Sequence, residues 1–285
     1  MIINNINKLL LKKPLIKLRT NTLLLSNNTI YNPIIGSNLG IPLNILQYIS
    51  TTTYFGENII NYELINLQFA IGIFTYGTDR LFDALEYKKN QKNEKSIYSI
   101  EKQNYYQYLL NNLYINYAVI FSSYIYIIYI LYDNEKTYFP IILLTSTLGY
   151  KSFKENFGIL KAFYIGVFWT IGTTILPIIY YENNYNILDN PSIYLPIFFS
   201  MFASSNLLDI KDLEEDKKEN IYTLPVIYGK QNSISISHIG IVFALLIIML
   251  NENFYNNIFV SSLFELQTFS LFFLNFKDNN NNEEI

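Results

Sequence analysis

The chain contains no cysteine and one histidine, His238, in 285 residues. Without thiols there can be no disulfide framework and no thiolate metal site. His238 opens an apolar stretch and reads as a helix-packing residue. Charge is also scarce: Asp, Glu, Lys and Arg make up 15% of the chain, where soluble domains usually carry about 25%. No acid occurs before Glu57, although Lys8, Lys12, Lys13, Lys17 and Arg19 all lie in that stretch. What the chain has instead is 51% hydrophobic residues, 17% aromatics and a mean hydropathy of +0.17. These shortages point to a bilayer as the solvent.

The apolar residues fall into runs long enough to cross a hydrocarbon core about 30 Å thick. Eight are expected, at 39–55, 62–78, 108–132, 138–150, 160–181, 193–208, 234–250 and 258–276, the first, fourth and sixth being short. Many contain Asn, Ser or Thr, as helices that contact one another in a membrane do. Lys and Arg cluster before the first run, at the end of the second, and in the segments 84–107, 151–161 and 211–230; Lys277 follows the last run. Only Lys136 falls in a connection of the opposite set, where Glu57, Asp133, Glu182, Asp189 and Glu252 lie. Basic residues mark the cytoplasmic or equivalent side, so both termini and the even-numbered connections belong there.

The predicted fold is therefore all-α: a multi-pass membrane bundle of about eight helices around an apolar cavity, capped on the cytoplasmic-equivalent side. Residues 1–38 form a basic arm, either an organelle transit segment or a positive-inside arm. Residues 39–276 form one membrane domain, and 277–285, with its run of asparagines, reads as a disordered polar tail. A plastid or mitochondrial membrane suits the transit reading.

The acids raise the functional question. "DIKDLEEDKKE" places six acids in eleven residues at the end of the sixth run, and Asp209, Asp212 and Asp216 at i, i+3 and i+7 share one face of a helix. The end of the second run, "TYGTDRLFD", places Asp79 and Asp83 at i and i+4 with Arg80 beside them. One such group reads as a solvated helix end. Two groups on the same side, at the ends of different spans, repel unless a cation lies between them. Magnesium suits that place, because it takes oxygen ligands, keeps several waters and bridges carboxylates to phosphates. Arg80 and Lys154 are placed to clamp a diphosphate whose hydrocarbon tail lies in the apolar bundle, and the metal makes that diphosphate a better leaving group.

The stretch "DIKDLEEDKKENIYTLPVIYG" resembles the second motif of the UbiA-type intramembrane prenyltransferase superfamily. The pattern DxxDxxxD falls on Asp209, Asp212 and Asp216, and the TLPV-like stretch on Thr223, Leu224, Pro225 and Gly229. The first motif, NxxxDxxxD, is matched by Thr75, Asp79 and Asp83, and a Tyr-x-x-x-Lys element by Tyr150 and Lys154. The likeness spans about residues 40–250. It departs from the pattern at Thr75, where Asn is usual, at Leu208, and in the segment after Asp83, which lacks the basic, proline-rich run. The family commonly has nine helices.

The resemblance implies magnesium-dependent transfer of a polyprenyl group from its diphosphate to a lipophilic acceptor, with a ring such as a quinone precursor or tetrapyrrole expected. Asp79, Asp83, Asp209, Asp212 and Asp216 become the metal ligands and catalytic carboxylates. Arg80, Lys154, Thr75 and Tyr150 become the diphosphate-binding set. Lys161, Lys211 and Lys217 read instead as snorkelled positive-inside charges, and Glu214, Glu215 and Glu219 as a solvated face. The bilayer is a partner and nucleic acid is not expected to be one. A different class of function is a retired relative that binds a pigment, quinone or subunit without catalysis. A secondary transporter would hold its acids nearer the midplane, and a soluble terpene-type synthase would lack the spans.

Overall fold

The computed structural model describes residues 40–56, 60–90, 100–134, 136–182 and 189–251. All of them belong to one unit, Pro33–Ile285. The described chain is helical with no strand. In order it forms α1 (Gly40–Phe55), α2 (Tyr62–Asn90), α3 (Ile100–Asn111), α4 (Leu113–Asp133), α5 (Tyr138–Asn156), α6 (Lys161–Thr170), α7 (Leu176–Tyr181), α8 (Pro191–Lys211), α9 (Leu213–Lys218) and α10 (Leu224–Leu250).

Local chemistry sets the helix ends. Gly56, at a φ of 73°, takes the left-handed position after α1 and returns its N–H to the Thr52 carbonyl at 2.9 Å. The Asn61 side-chain oxygen accepts the first free N–H groups of α2, from Glu63 at 2.8 Å and Leu64 at 3.2 Å. Glu63 at that start and Lys88 with Lys89 at the far end complement the helix dipole. Pro191 opens α8, where a missing N–H costs nothing. Between α6 and α7, Ile171–Ile175 widens into a π turn. Pro177 explains it: proline has no N–H to return to the carbonyl four residues back, so the ladder shifts by one.

Four helical stretches are long and apolar enough to cross a membrane: Leu113–Asp133, Gly158–Tyr181, Pro191–Lys211 and Leu224–Leu250. The expected spans at 39–55, 62–78 and 138–150 are helical too, as α1, α2 and α5. They fall short of that measure because α1 has only 16 residues, α2 runs on into a charged end, and α5 carries Lys151, Lys154 and Glu155 in its last turns. The eighth expected span, 258–276, lies outside the described residues, as do the arm 1–38 and the tail.

Packing follows residue size. The α8–α10 interface is among the most extensive contacts of the bundle. Ser200 and Ala203 of α8 and Ser233, Ser237, Gly240 and Ala244 of α10 are buried, small residues of the kind that let membrane helices approach closely. Asn206 cross-links the pair, donating to the Ser233 carbonyl and the Ser237 hydroxyl, both at 2.8 Å. On the other side, Leu64, Leu67, Ile71 and Phe74 of α2 pack with Ile127, Ile130 and Leu131 of α4 and with Phe139, Ile175, Leu176 and Ile179. The outward face of α4 leaves Tyr114, Phe121 and Tyr129 exposed, an apolar surface suited to a bilayer.

Candidate functional site

α2, α5 and α8 deliver their C-terminal ends to one place, and α6 begins there. Their charged residues line a polar cleft of about 200 Å³. Asp79, Arg80, Asp83 and Glu86 come from α2, Lys102 and Tyr106 from α3, and Tyr150, Lys151, Lys154 and Glu155 from α5. Lys161 opens α6, and Asp212, Glu215, Asp216, Glu219 and Ile221 complete the wall around α9.

On α2, Arg80 pairs with Asp83 one turn on, Nη1 to Oδ2 at 3.4 Å. Its guanidinium lies 4.5 Å from the centre of the Tyr76 ring, which holds it by cation–π attraction. The Tyr106 hydroxyl donates to Asp83 Oδ2 at 3.4 Å. Asp83 lies beyond the apolar part of α2. Desolvation first, and the Asp79 charge second, push its carboxyl up to about 6, against the pull of Lys154, Arg80 and Lys102.

The second acidic cluster departs from the expected geometry. α8 stops at Lys211, Asp212 forms the junction, and α9 starts at Leu213. Lys211 in the last turn of α8 and Glu214, Glu215 and Asp216 in the first turn of α9 explain the break, since each suits the dipole at its own helix end. Asp209, Asp212 and Asp216 therefore do not lie along one face of one helix. Asp209 is buried behind Lys161, with Lys161 Nζ 2.5 Å from its Oδ1. Asp212 is exposed to the cleft. Asp216 is 1% exposed; its Oδ2 accepts the Thr223 hydroxyl at 3.2 Å, and its Oδ1 faces Lys154 Nζ at 3.8 Å.

The turn that brings Thr223 to Asp216 depends on a glycine. A side chain at Gly158 would place Cβ 2.9 Å from the Tyr222 carbonyl carbon, so only glycine lets the α5–α6 turn meet that strand of backbone. Asn220, at a φ of 58°, makes the preceding turn, a left-handed position that Asn tolerates.

Further ion pairs tie the walls together. Lys151 Nζ lies 2.5 Å from Glu86 Oε2 across α5 and α2, and Lys102 of α3 pairs with Glu215 of α9. Of the expected site residues, Asp79, Asp83, Asp212, Asp216, Arg80, Lys154 and Tyr150 line the cleft. Asp209 stands behind its wall. Thr75 is not part of the wall, and its hydroxyl donates to the Ile71 carbonyl of its own helix at 2.8 Å.

Several participants differ from expectation. Lys161 is no snorkelled charge: it is 6% exposed and ion-paired, whereas Lys211 is exposed and Lys217 pairs with Glu214 at the surface, 3.1 Å away. Glu215 and Glu219 belong to the cleft, while Glu214 alone fits a solvated face. Glu86, Lys102, Tyr106 and Lys151 carried no motif. Their one signal was position, within the polar connections that follow the second and fourth spans.

The donors offered to a metal are carboxylate oxygens, the ligands of a hard cation. Among the described residues no three carboxylate or histidine groups gather closely enough to cage an ion. No protein-family model, curated protein or solved structure matches the chain.

Proposed function

We propose that the chain is a divergent member of the UbiA-type superfamily, a multi-pass bundle of about eight spans. In this reading it transfers a polyprenyl group from its diphosphate to a lipophilic ring acceptor, such as a quinone precursor or tetrapyrrole. One observation carries the reading: carboxylates from two separate helix ends share a cleft with Arg80 and Lys154, at one end of helices whose outer faces are apolar. The motif around Asp209 and Thr223 adds to it.

Asp79 with Asp83 at one helix end, and Asp212 with Asp216 at the other, would each offer a magnesium ion one or two carboxylates, and Asp209 would become available if Lys161 turned away. Bound magnesium supplies Lewis-acid neutralisation of the diphosphate. Arg80 and Lys154 hold phosphate oxygens by charge-assisted hydrogen bonds, and Tyr150 in the cleft wall either bonds a phosphate oxygen or offers its ring face to the developing cation. The bond from C1 to the diphosphate oxygen breaks, and its electron pair leaves with the diphosphate. C1 then bonds to the acceptor, either at a ring carbon, which gives its proton to the departing diphosphate, or at a carboxylate oxygen of a tetrapyrrole, which has no proton to give. Apolar helix faces below keep water from C1.

The test is turnover of the bilayer-reconstituted protein with labelled farnesyl, geranylgeranyl and phytyl diphosphates. Quinone-precursor and chlorophyllide acceptors are pooled, with magnesium or EDTA. Product that forms only with magnesium supports the transferase. Its absence together with absent donor binding contradicts it.

A second reading has its own support. Where the family pattern has Asn, the Thr75 hydroxyl is committed to its own helix and contributes nothing to the cleft. That favours a non-catalytic relative which keeps the bundle and binds a lipophilic ligand or subunit.

A further inference from the structure

Two lysines at the cleft each hold one aspartate of the second acidic cluster. Lys161 Nζ and Asp209 Oδ1 are 2.5 Å apart, and the two side chains are only 8% and 5% exposed. Lys154 Nζ lies 3.8 Å from Asp216 Oδ1, with the lysine side chain 25% exposed. Both lysines line the cleft, and Asp209 does not. A lysine therefore stands between Asp209 and anything that occupies the cleft.

This order has an electrostatic consequence. A buried carboxylate without a cation is strongly unfavourable, and so is a buried ammonium without an anion. A divalent ion approaching Asp209 alone must expel Lys161 from its pair or lie beside its charge, and in a poorly screened site the repulsion is large. A polyphosphate arriving alone can draw Lys161 to itself only by stranding Asp209. When the two arrive together both costs vanish, because the lysine turns to phosphate as the aspartate turns to metal. Lysine suits such an exchange, with a compact charge on a flexible four-carbon stem.

We infer that Lys161 is a resident counter-ion that couples the two ligands of the cleft: it occupies Asp209 until a phosphate anion draws it off and a divalent cation takes its place. Lys161 is a positioning residue in this account, since it acts by releasing Asp209. The inference rests on the magnesium–diphosphate reading above and adds that each ligand raises the affinity of the other. Thermodynamic linkage makes the effect reciprocal.

The test uses the purified full chain in lipid nanodiscs and Mn²⁺ as a spectroscopic stand-in for magnesium. Bound and free Mn²⁺ are separated by electron paramagnetic resonance, with and without inorganic diphosphate, and corrected for the Mn–diphosphate complex in solution. The wild-type chain is expected to bind Mn²⁺ about tenfold or more tightly when diphosphate is present, within the usual range of coupling. Lys161→Gln is expected to bind Mn²⁺ alone about tenfold more tightly than wild type and to lose most of the diphosphate enhancement. A folding defect does not produce a gain in affinity.

Lys161→Gln/Asp209→Asn removes both charges of the pair while keeping its hydrogen-bonding shape, and carries the test if the single variant does not fold. It should keep only the part of the enhancement that direct metal–phosphate contact supplies, well below wild type. Wild-type affinity and enhancement in Lys161→Gln, or an enhancement as large as wild type in the double variant, overturns the exchange and leaves the metal reading standing. A wild-type chain that binds Mn²⁺ neither alone nor with diphosphate overturns both.

Discussion

The two ends of α2 meet the same problem with different chemistry. Glu63 at its start and Asp79 about 24 Å further along, at roughly 1.5 Å per residue, are both carboxylates at the edge of an apolar bundle. At the Glu63 end phenols serve: Tyr180 donates to Glu63, and Tyr54 donates to Glu182 Oε2 at 2.5 Å. At the cleft end ammonium and guanidinium groups predominate, as in Lys161–Asp209, Lys154–Asp216, Lys151–Glu86, Lys102–Glu215 and Arg80–Asp83, with the Tyr106 phenol beside Arg80 on Asp83. A phenol fills a lone pair, but it leaves the charge in place and is fixed by its ring. A lysine neutralises the carboxylate, and another cation can replace it. The phenol end is built as a lock, and the cleft end as a set of exchangeable counter-ions.

Substitutions separate the two. The largest effect is expected from Asp79→Ala, which removes a donor of the proposed magnesium site: turnover should fall by about 10²–10³-fold or more, by the measure of other electrostatic catalytic groups, while circular dichroism and detergent melting stay near wild type. Near-full turnover would dissolve the distinction between the ends. Lys161→Ala strands a buried aspartate and should cost about 3–5 kcal/mol of stability, seen as a marked drop in the melting temperature. Adding Asp209→Leu should recover most of that loss, which no simple packing defect would do.

Gly158→Ala forces a methyl group against the Tyr222 backbone and should cost about 1–3 kcal/mol. Because that turn delivers Thr223 to Asp216, diphosphate affinity should weaken along with stability. The smallest effect belongs to the lock: Tyr54→Phe removes one hydrogen bond to Glu182, for about 1 kcal/mol, with turnover unchanged. A loss of turnover there as large as at Asp79 would mean that both ends serve one site.

Much of this arrangement was legible because membrane physics writes it into local sequence. The sidedness of Lys and Arg, and acids at the ends of the second and sixth apolar runs, place the charged residues at one end without any knowledge of packing. Where the structure differs, the cause lies far along the chain in one case and close by in the others. Lys161 and Asp209 are 48 residues apart, and nothing near Lys161 distinguishes a buried partner from a snorkelled charge. The i, i+3, i+7 spacing assumed a continuous helix through Asp212, while the charges on either side of that residue favour two helix ends meeting there. Thr75 matched a motif position, yet a threonine hydroxyl in a helix readily bonds back to its own carbonyls. Apolar runs in α1, α2 and α5 were also easier to see than their limits, since Ser, Thr, Gln and late lysines lower their hydropathy without breaking the helix.

The most direct measurement is the thermal stability of the purified protein with farnesyl thiodiphosphate, an unreactive donor, in magnesium or in EDTA. A ligand that binds only the folded chain raises its melting temperature, by an amount that grows with the logarithm of its concentration over its Kd. The account predicts a rise that needs magnesium and donor together and disappears in Asp79→Ala. No rise under any combination, or a rise indifferent to both magnesium and Asp79, would contradict a magnesium–diphosphate site in the cleft.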